Sequence, residues 1–272
     1  MKGKAIRSIA GVVFVLASVA GAALAEPKQS KSRFDVFAKA VTPFIAVGTP
    51  EGSNGNHAVD LTVALGNITG LPPELNGRRA EIAYEFPSKW FVQFPLEDFV
   101  ATIACRGDTV WAHPGSRMQP FIDQLEAKAR EKQRSNNSGG GFQLSKAQAV
   151  LVPALFDVND AGLMKVADKP YRVVDVRPIP ALRLTKDTGW PARLWVRPND
   201  FSLAQLLLRT SDWSATAVLE KANFVPSLPP ETWEPTAEQR ADLAEMPASS
   251  ITSLLNLAAA TVRKPGAQPA PR

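Results

Sequence analysis

The spacing of hydrophobic residues changes along the chain, from every three or four residues to every second residue. Between Ser32 and Ile45, large apolar side chains recur every three or four residues, which is the spacing of one helix face. The bulky members of this stripe are Phe34, Phe37, Val41 and Phe44. After a loop at residues 48–56 that is rich in Gly and Asn, the period changes to two between Val59 and Leu65. The pattern predicts an amphipathic helix followed by a half-buried strand.

Further short alternating segments are separated by turn residues such as Pro87-Ser88. They predict strands at residues 80–86, 90–94, 99–105 and 109–113, and later at 171–176, 192–196, 202–209 and 214–224. Because sequential strands joined by short turns usually pair, we expect an antiparallel meander. Residues 118–133 and 145–156 have helical spacing and are joined by a loop rich in Ser, Asn and Gly.

The N-terminal segment has the three parts of a secretory signal. Lys2, Lys4 and Arg7 precede the uncharged run Ile9–Leu24, which ends in a small-x-small sequence at residues 23–25. We therefore predict cleavage after Ala25 and a periplasmic mature protein. The alternative is a retained membrane anchor, since the run approaches the roughly 20 apolar residues that a spanning helix needs.

Net charge and cysteine content argue against nucleic-acid binding and against a catalytic thiol. Removing three basic residues with the signal from the 31 Lys and Arg leaves 28 against 26 acidic residues, a formal charge of +2. A nearly neutral chain without a dense basic tract is not expected to bind nucleic acid. The single cysteine, Cys105, ends an apolar strand pattern, so we interpret it as a buried small hydrophobic residue rather than a catalytic thiol.

Recognisable catalytic and metal-binding patterns are scarce. His57 and His113 are the only histidines, and they lack the spacing of a metal site. The sequence contains no nucleophile elbow, no P-loop and no dinucleotide-binding fingerprint. We therefore expect neither an enzyme nor a protein with a cofactor or metal.

Large apolar side chains are abundant in both the predicted helix and the predicted strands. If the helix covers one face of the sheet, these side chains meet between the two layers, as either a solid core or the wall of a lipid-sized cavity. The candidate ligand-contacting residues are Phe34, Phe37, Val41, Phe44, Trp90, Phe94 and Trp111.

The order of these elements resembles the LolA-type periplasmic lipoprotein carriers. The resemblance is carried by Pro87 with Trp90, by Gly107 with Trp111 and Pro114, and by a late strand that leads into Pro229-Pro230-Glu231-Thr232-Trp233. It implies an α+β fold, an unclosed antiparallel β-barrel (half-barrel) with helices packed on the concave face as a lid. It further implies a non-catalytic carrier whose apolar interior takes a lipid or an acylated lipoprotein, and which meets a transient membrane-protein partner.

The chain departs from this family at one position. The carriers commonly place an Arg directly before the strand-ending Pro, where it latches the lid, whereas this chain has Phe86 there. A phenyl ring cannot form that polar latch. The resemblance therefore leaves open whether the protein shuttles lipoproteins or is a sensing or structural module that binds a protein partner with the same barrel. At this stage Phe86→Arg is expected to cost several kcal/mol, because it would bury an unpaired charge.

The sequence predicts four consecutive units. They are a signal peptide at residues 1–25, a half-barrel domain at 26–235, an amphipathic helical extension at 236–263, and a Pro/Ala/Arg tail at 264–272. The apolar helix face beyond Ser249 could pack on the barrel, lie on a membrane or meet a partner, and the sequence leaves these three placements open.

Overall fold

The computed structural model describes residues 31–248 except positions 72, 97, 120–122, 124–152, 154–155, 179–191 and 210–212. The predicted signal peptide, the predicted C-terminal helix beyond Ser249 and the tail lie outside the described residues. Most residues of the two helices predicted at 118–133 and 145–156 also lie outside the described residues.

The first described element is a helix, α1, from Lys31 to Val47. Its most buried side chains are Val36, Phe37, Ala40 and Val47, which recur at helical spacing. The predicted helix is confirmed, but its stripe is rotated slightly. Phe37 is buried in the core, whereas Phe34, Val41 and Phe44 are only partly buried beside it.

Among the described residues, eleven strands form one sheet, and every neighbouring pair is antiparallel. The strands are β1 Ala58–Thr69, β2 Arg79–Glu85, β3 Lys89–Pro95, β4 Val100–Arg106, β5 Thr109–His113, β6 Phe156–Val166, β7 Lys169–Pro178, β8 Ala192–Val196, β9 Leu203–Arg209, β10 Ser214–Val225 and β11 Ala244–Pro247. Short 3₁₀ turns lie at Pro73–Leu75, Pro230–Trp233 and Gln239–Asp242.

The sheet is an unclosed barrel. Its order is β11-β5-β4-β3-β2-β1-β10-β9-β8-β7-β6, so β11 and β6 are the two edges and β1 pairs with β10 at the centre. The helix α1 packs across β1, β6 and β7 on one face. This confirms the predicted fold class, an α+β half-barrel with helical structure on its concave face.

The strand β6 was not predicted from the sequence, and the helix predicted at residues 145–156 was wrong at its end. Phe156, expected at the end of a helix, is instead the first residue of β6. The segment after it, Asp-Val-Asn-Asp-Ala-Gly, is polar and buries only Val158, so it lacks the alternation that identifies a strand. A bulge between Asp160 and Gly162 interrupts its pairing with β7.

The C-terminal part of the described chain also differs from the prediction. Residues 236–248, expected to begin a helical extension, contain a 3₁₀ turn and then β11, which pairs with β5 from Ala244–Ala112 to Pro247–Thr109. The sheet therefore continues beyond residue 235, where the sequence placed the end of the domain. A four-residue strand is too short to show a period, and only its partner makes it recognisable.

A candidate apolar binding face

The register of the sheet separates the side chains of β2–β5 into two chemically different sets. Paired residues of neighbouring strands lie on the same face, and successive residues alternate between faces. The residues that share the face of α1, here called the inward set, are Ala80, Ile82, Tyr84, Trp90, Val92, Phe94, Ala101, Ile103, Cys105, Val110 and Ala112. The inward set contains no Asp, Glu, Lys, Arg or His.

Two buried clusters occupy opposite ends of the inward face. The first joins Phe37 and its helix neighbours to β1 and to strands β6–β10, and it includes Phe94. Phe37 meets the ring of Phe156 edge to face, with 5.6 Å between centroids, and Phe44 meets Phe224 in the same way at 5.2 Å. In this region α1 packs directly on the sheet. The space between helix and sheet is therefore a solid core here, and not a lipid-sized cavity.

The second cluster lies near the β11 edge. Its buried members are Cys105, Val110, Ala112, Met118, Ala244 and Met246. The indole of Trp90 is only partly buried and packs against this cluster.

Between the clusters lies an apolar surface, here called the central strip, formed by Ile82, Tyr84, Trp90, Val92 and Ile103. Ile82, Val92 and Ile103 are direct neighbours across β2, β3 and β4, and Tyr84 is paired with Trp90. All five side chains are half-buried. An apolar side chain that remains partly open to water beside a packed core is a suitable contact for another apolar molecule.

The two ionisable groups of the inward set are kept neutral. Burial raises the pKa of the Tyr84 phenol, whose hydroxyl lies 3.4 Å from the Pro87 carbonyl oxygen. Burial is also the main cause that raises the pKa of the Cys105 thiol. Cys105 is 3% exposed and its Sγ lies 3.4 Å from the Gly107 carbonyl oxygen, which confirms its interpretation as a buried residue. The inward set of β2–β5 therefore offers no charge near neutral pH.

Trp111 does not share this face. It is paired with Ala104 and alternates with Val110 and Ala112, which places its indole on the outward side. There its Nε1 donates a hydrogen bond of 3.0 Å to the carbonyl oxygen of Trp233, which is 2% exposed. The expectation that Trp111 faces α1 is wrong, because a strand residue that is large and aromatic can be buried on either face.

The remaining candidate residues divide between the packed core and its margin. Phe37 and Phe94 are buried in the first cluster, while Phe34, Val41 and Phe44 are partly buried beside it. Trp90 lies in the central strip. Their role as ligand contacts stays a prediction.

The latch position lies just beyond the end of β2. Phe86 is half-buried, its backbone N–H donates to the His57 carbonyl oxygen at 2.9 Å, and its ring lies 6.5 Å from the His57 ring. Because the position is half-buried, an Arg side chain here could extend its guanidinium to water.

Sequence reasoning missed Ile82, Val92 and Ile103 as site residues. The alternating pattern already placed Ile82 and Val92 on strands, but the candidate ligand-contacting residues were mostly the large aromatic ones. Only the register shows that these three aliphatic residues are neighbours, and Ile82 packs against the first cluster while Ile103 packs against the second.

No group of His, Cys, Asp and Glu that could hold a metal ion occurs among the residues that the structure describes. In the same part of the chain, no helix is both long and apolar enough to cross a membrane.

Comparisons with known proteins give matches only among solved structures. No family model and no curated protein matches the chain. The lipoprotein LppX of Mycobacterium tuberculosis is 11% identical over 72% of this chain and 97% of its own length, with a TM-score of 0.40.

MucB is 13% identical over 77% of this chain and 64% of its own length, with a TM-score of 0.41. A LolA superfamily protein from Nitrosomonas europaea is 11% identical over 75% of this chain and 97% of its own, with a TM-score of 0.30. Similarity at this level leaves the function to be inferred from the chain's own residues.

Proposed function

We propose that the protein is a non-catalytic periplasmic carrier that holds an acyl chain of a lipid or lipoprotein on the central strip. The observation that carries this proposal is the central strip, whose five side chains are uncharged and half-buried between two packed clusters. A polar ligand would lose its hydration there without gaining partners, whereas a hydrocarbon chain would lose only its contact with water.

The size of the strip supports useful affinity. Ile82, Val92 and Ile103 span two inter-strand spacings, about 10 Å. Each methylene removed from water contributes about 0.8 kcal/mol, so about six methylenes would contribute about 5 kcal/mol. That value corresponds to a dissociation constant of about 0.2 mM, at which a carrier can both load and release its ligand.

A matched pair of double variants tests the site. Val92→Thr with Ile103→Thr keeps two β-branched residues of high strand preference but places two hydroxyl groups on the central strip. Val92→Thr keeps the side-chain shape, and Ile103→Thr shortens its side chain by one carbon. Glu81→Thr with Gln93→Thr makes changes at two positions of the outward face, which are paired with each other across β2 and β3. We expect the inward variant to bind a fluorescent fatty acid about tenfold more weakly, and the outward variant to bind it like the wild type.

Mass spectrometry of the purified protein separates this function from its main alternative. Co-purified lipid, together with loss of binding in the inward variant only, supports a carrier. Absence of lipid and of fatty-acid binding in the wild type contradicts it. In that case the protein is a module that uses the same strip to bind an apolar segment of a protein partner.

A further inference from the structure

The hairpin of β6 and β7 extends beyond the rest of the sheet. Strand β8 pairs with β7 only from Arg172 to Val176, so residues 169–171 pair with β6 and with no other described strand. The turn at Ala167 and Asp168 therefore lies about four residues, or about 13 Å, beyond the last pair with β8. We call residues Leu163–Tyr171 the hairpin tip.

The hairpin tip exposes apolar side chains. Every residue from 163 to 170 is exposed, and Leu163, Met164 and Val166 are 73%, 43% and 39% exposed. Only two other large hydrophobic residues in the described part of the chain are exposed, Val100 and Val218, and each stands alone. Three such side chains within four residues at a projecting end mark an interaction surface.

The arrangement of these side chains favours one kind of partner. Leu163 is paired with Arg172 and lies on the inward side, whereas Met164 is paired with Tyr171 and lies with Val166 on the other side. A protein surface that docks on a hairpin covers one of its faces. The interface of a lipid bilayer surrounds both faces at once.

Charge and residue type agree with a lipid surface. Lys165 lies between Met164 and Val166, Lys169 is paired with Val166, and neither lysine forms an ion pair with any described residue. Lysine can extend its ammonium group to lipid phosphates while its stem stays among the acyl chains, and Tyr171 is of the type enriched at membrane interfaces. Asp168 at the turn keeps the hairpin at the level of the headgroups, because its carboxylate would be costly deeper in the bilayer.

The base of the hairpin is braced. The carboxylate of Asp160 accepts hydrogen bonds of 2.8 Å from the Gly162 backbone and from the Arg172 guanidinium, at the bulge where the tip departs from the sheet. The tip is thus presented in a defined direction, which reduces the ordering cost of docking.

We propose that the hairpin tip docks the protein on a bilayer that contains anionic lipids, with Leu163, Met164 and Val166 entering the interface. This inference is independent of the central strip and of what it binds.

Flotation with vesicles tests the proposal on the chain that begins at Glu26. The wild type is expected to float with vesicles of phosphatidylcholine mixed with phosphatidylglycerol, and less with phosphatidylcholine alone. Replacing Leu163, Met164 and Val166 by Ser should weaken binding about tenfold or more, whereas Val100→Ser with Val218→Ser should leave it unchanged. Replacing both tip lysines by Gln should remove the preference for the anionic mixture.

Three outcomes would overturn the proposal. They are a wild type that does not float, a tip variant that floats like the wild type, and a loss of self-association in the tip variant without a change in flotation. The last result would assign the β6 edge to contacts between copies of the chain. Circular dichroism of each variant confirms its fold, and unchanged fatty-acid binding by the tip variant separates this test from that of the central strip.

Discussion

Trp233 anchors the C-terminal segment on the outward face of the sheet, so its replacement should be among the most damaging changes in the protein. Its side chain is 2% exposed, and the 3₁₀ turn that carries it packs against β3 and β4. Nearby, the backbone N–H of Leu228 donates to Glu85 at 2.8 Å, and Arg106 pairs with Glu234. We expect Trp233→Ala to lower the free energy of unfolding by about 3 to 4 kcal/mol.

The magnitude follows from two opposing terms. A Trp side chain buries about 200 Å², which at about 25 cal/mol per Å² gives about 5 kcal/mol. Against this, the buried Nε1 of Trp233 has no hydrogen-bond partner within the described part of the chain, and removing an unpaired donor recovers about 1 to 2 kcal/mol. Trp233→Phe removes the same donor but keeps most of the apolar area, so it should cost only about 1 kcal/mol.

Urea unfolding followed by circular dichroism measures both variants. A loss below about 1 kcal/mol for Trp233→Ala would refute the anchoring role. A loss for Trp233→Phe well above about 1 kcal/mol would show that removing Nε1 breaks a hydrogen bond instead of relieving an unpaired donor.

Three further changes test other parts of the fold. Gly115→Ala would place a Cβ 2.3 Å from the backbone carbonyl carbon of Leu243, which cannot yield as a side chain can, and should cost about 3 kcal/mol by urea titration; an unchanged midpoint would contradict that close approach. Hydrogen bonding to Arg172 is the main cause that lowers the pKa of Asp160, so this pair stabilises the fold above the ordinary Asp pKa and the contribution is lost as pH falls through the lowered value. Asp160→Asn should therefore cost about 1 kcal/mol at pH 7 and nothing in acid, as measured by thermal unfolding across pH, and a pH-independent difference would argue against it. Phe86→Arg, expected from sequence to cost several kcal/mol, should cost only about 1 kcal/mol because the half-buried position lets the guanidinium reach water; a loss of several kcal/mol would show that the position is closed.

The elements that bury a regular stripe of apolar side chains could be predicted from the sequence alone. The helix at Lys31–Val47 and strands such as β2, β3 and β10 follow directly from periods of 3.6 and two, because one face of each must leave water. Local turn chemistry, as in Arg106-Gly107-Asp108, was enough to predict a meander, since short turns leave a strand little choice of partner.

The side of the sheet that each large residue covers, and the residues beside it, depend on how the strands pair, and the sequence pattern does not show this pairing. Trp90 and Trp111 are equally apolar in sequence, yet the register sends Trp90 inward and Trp111 to the carbonyl of Trp233. The strand β6 buries too little to show a period, and β11 exists because β5 offers it an edge. The central strip is likewise a product of register, because its residues come from three strands and become neighbours only when β2, β3 and β4 pair.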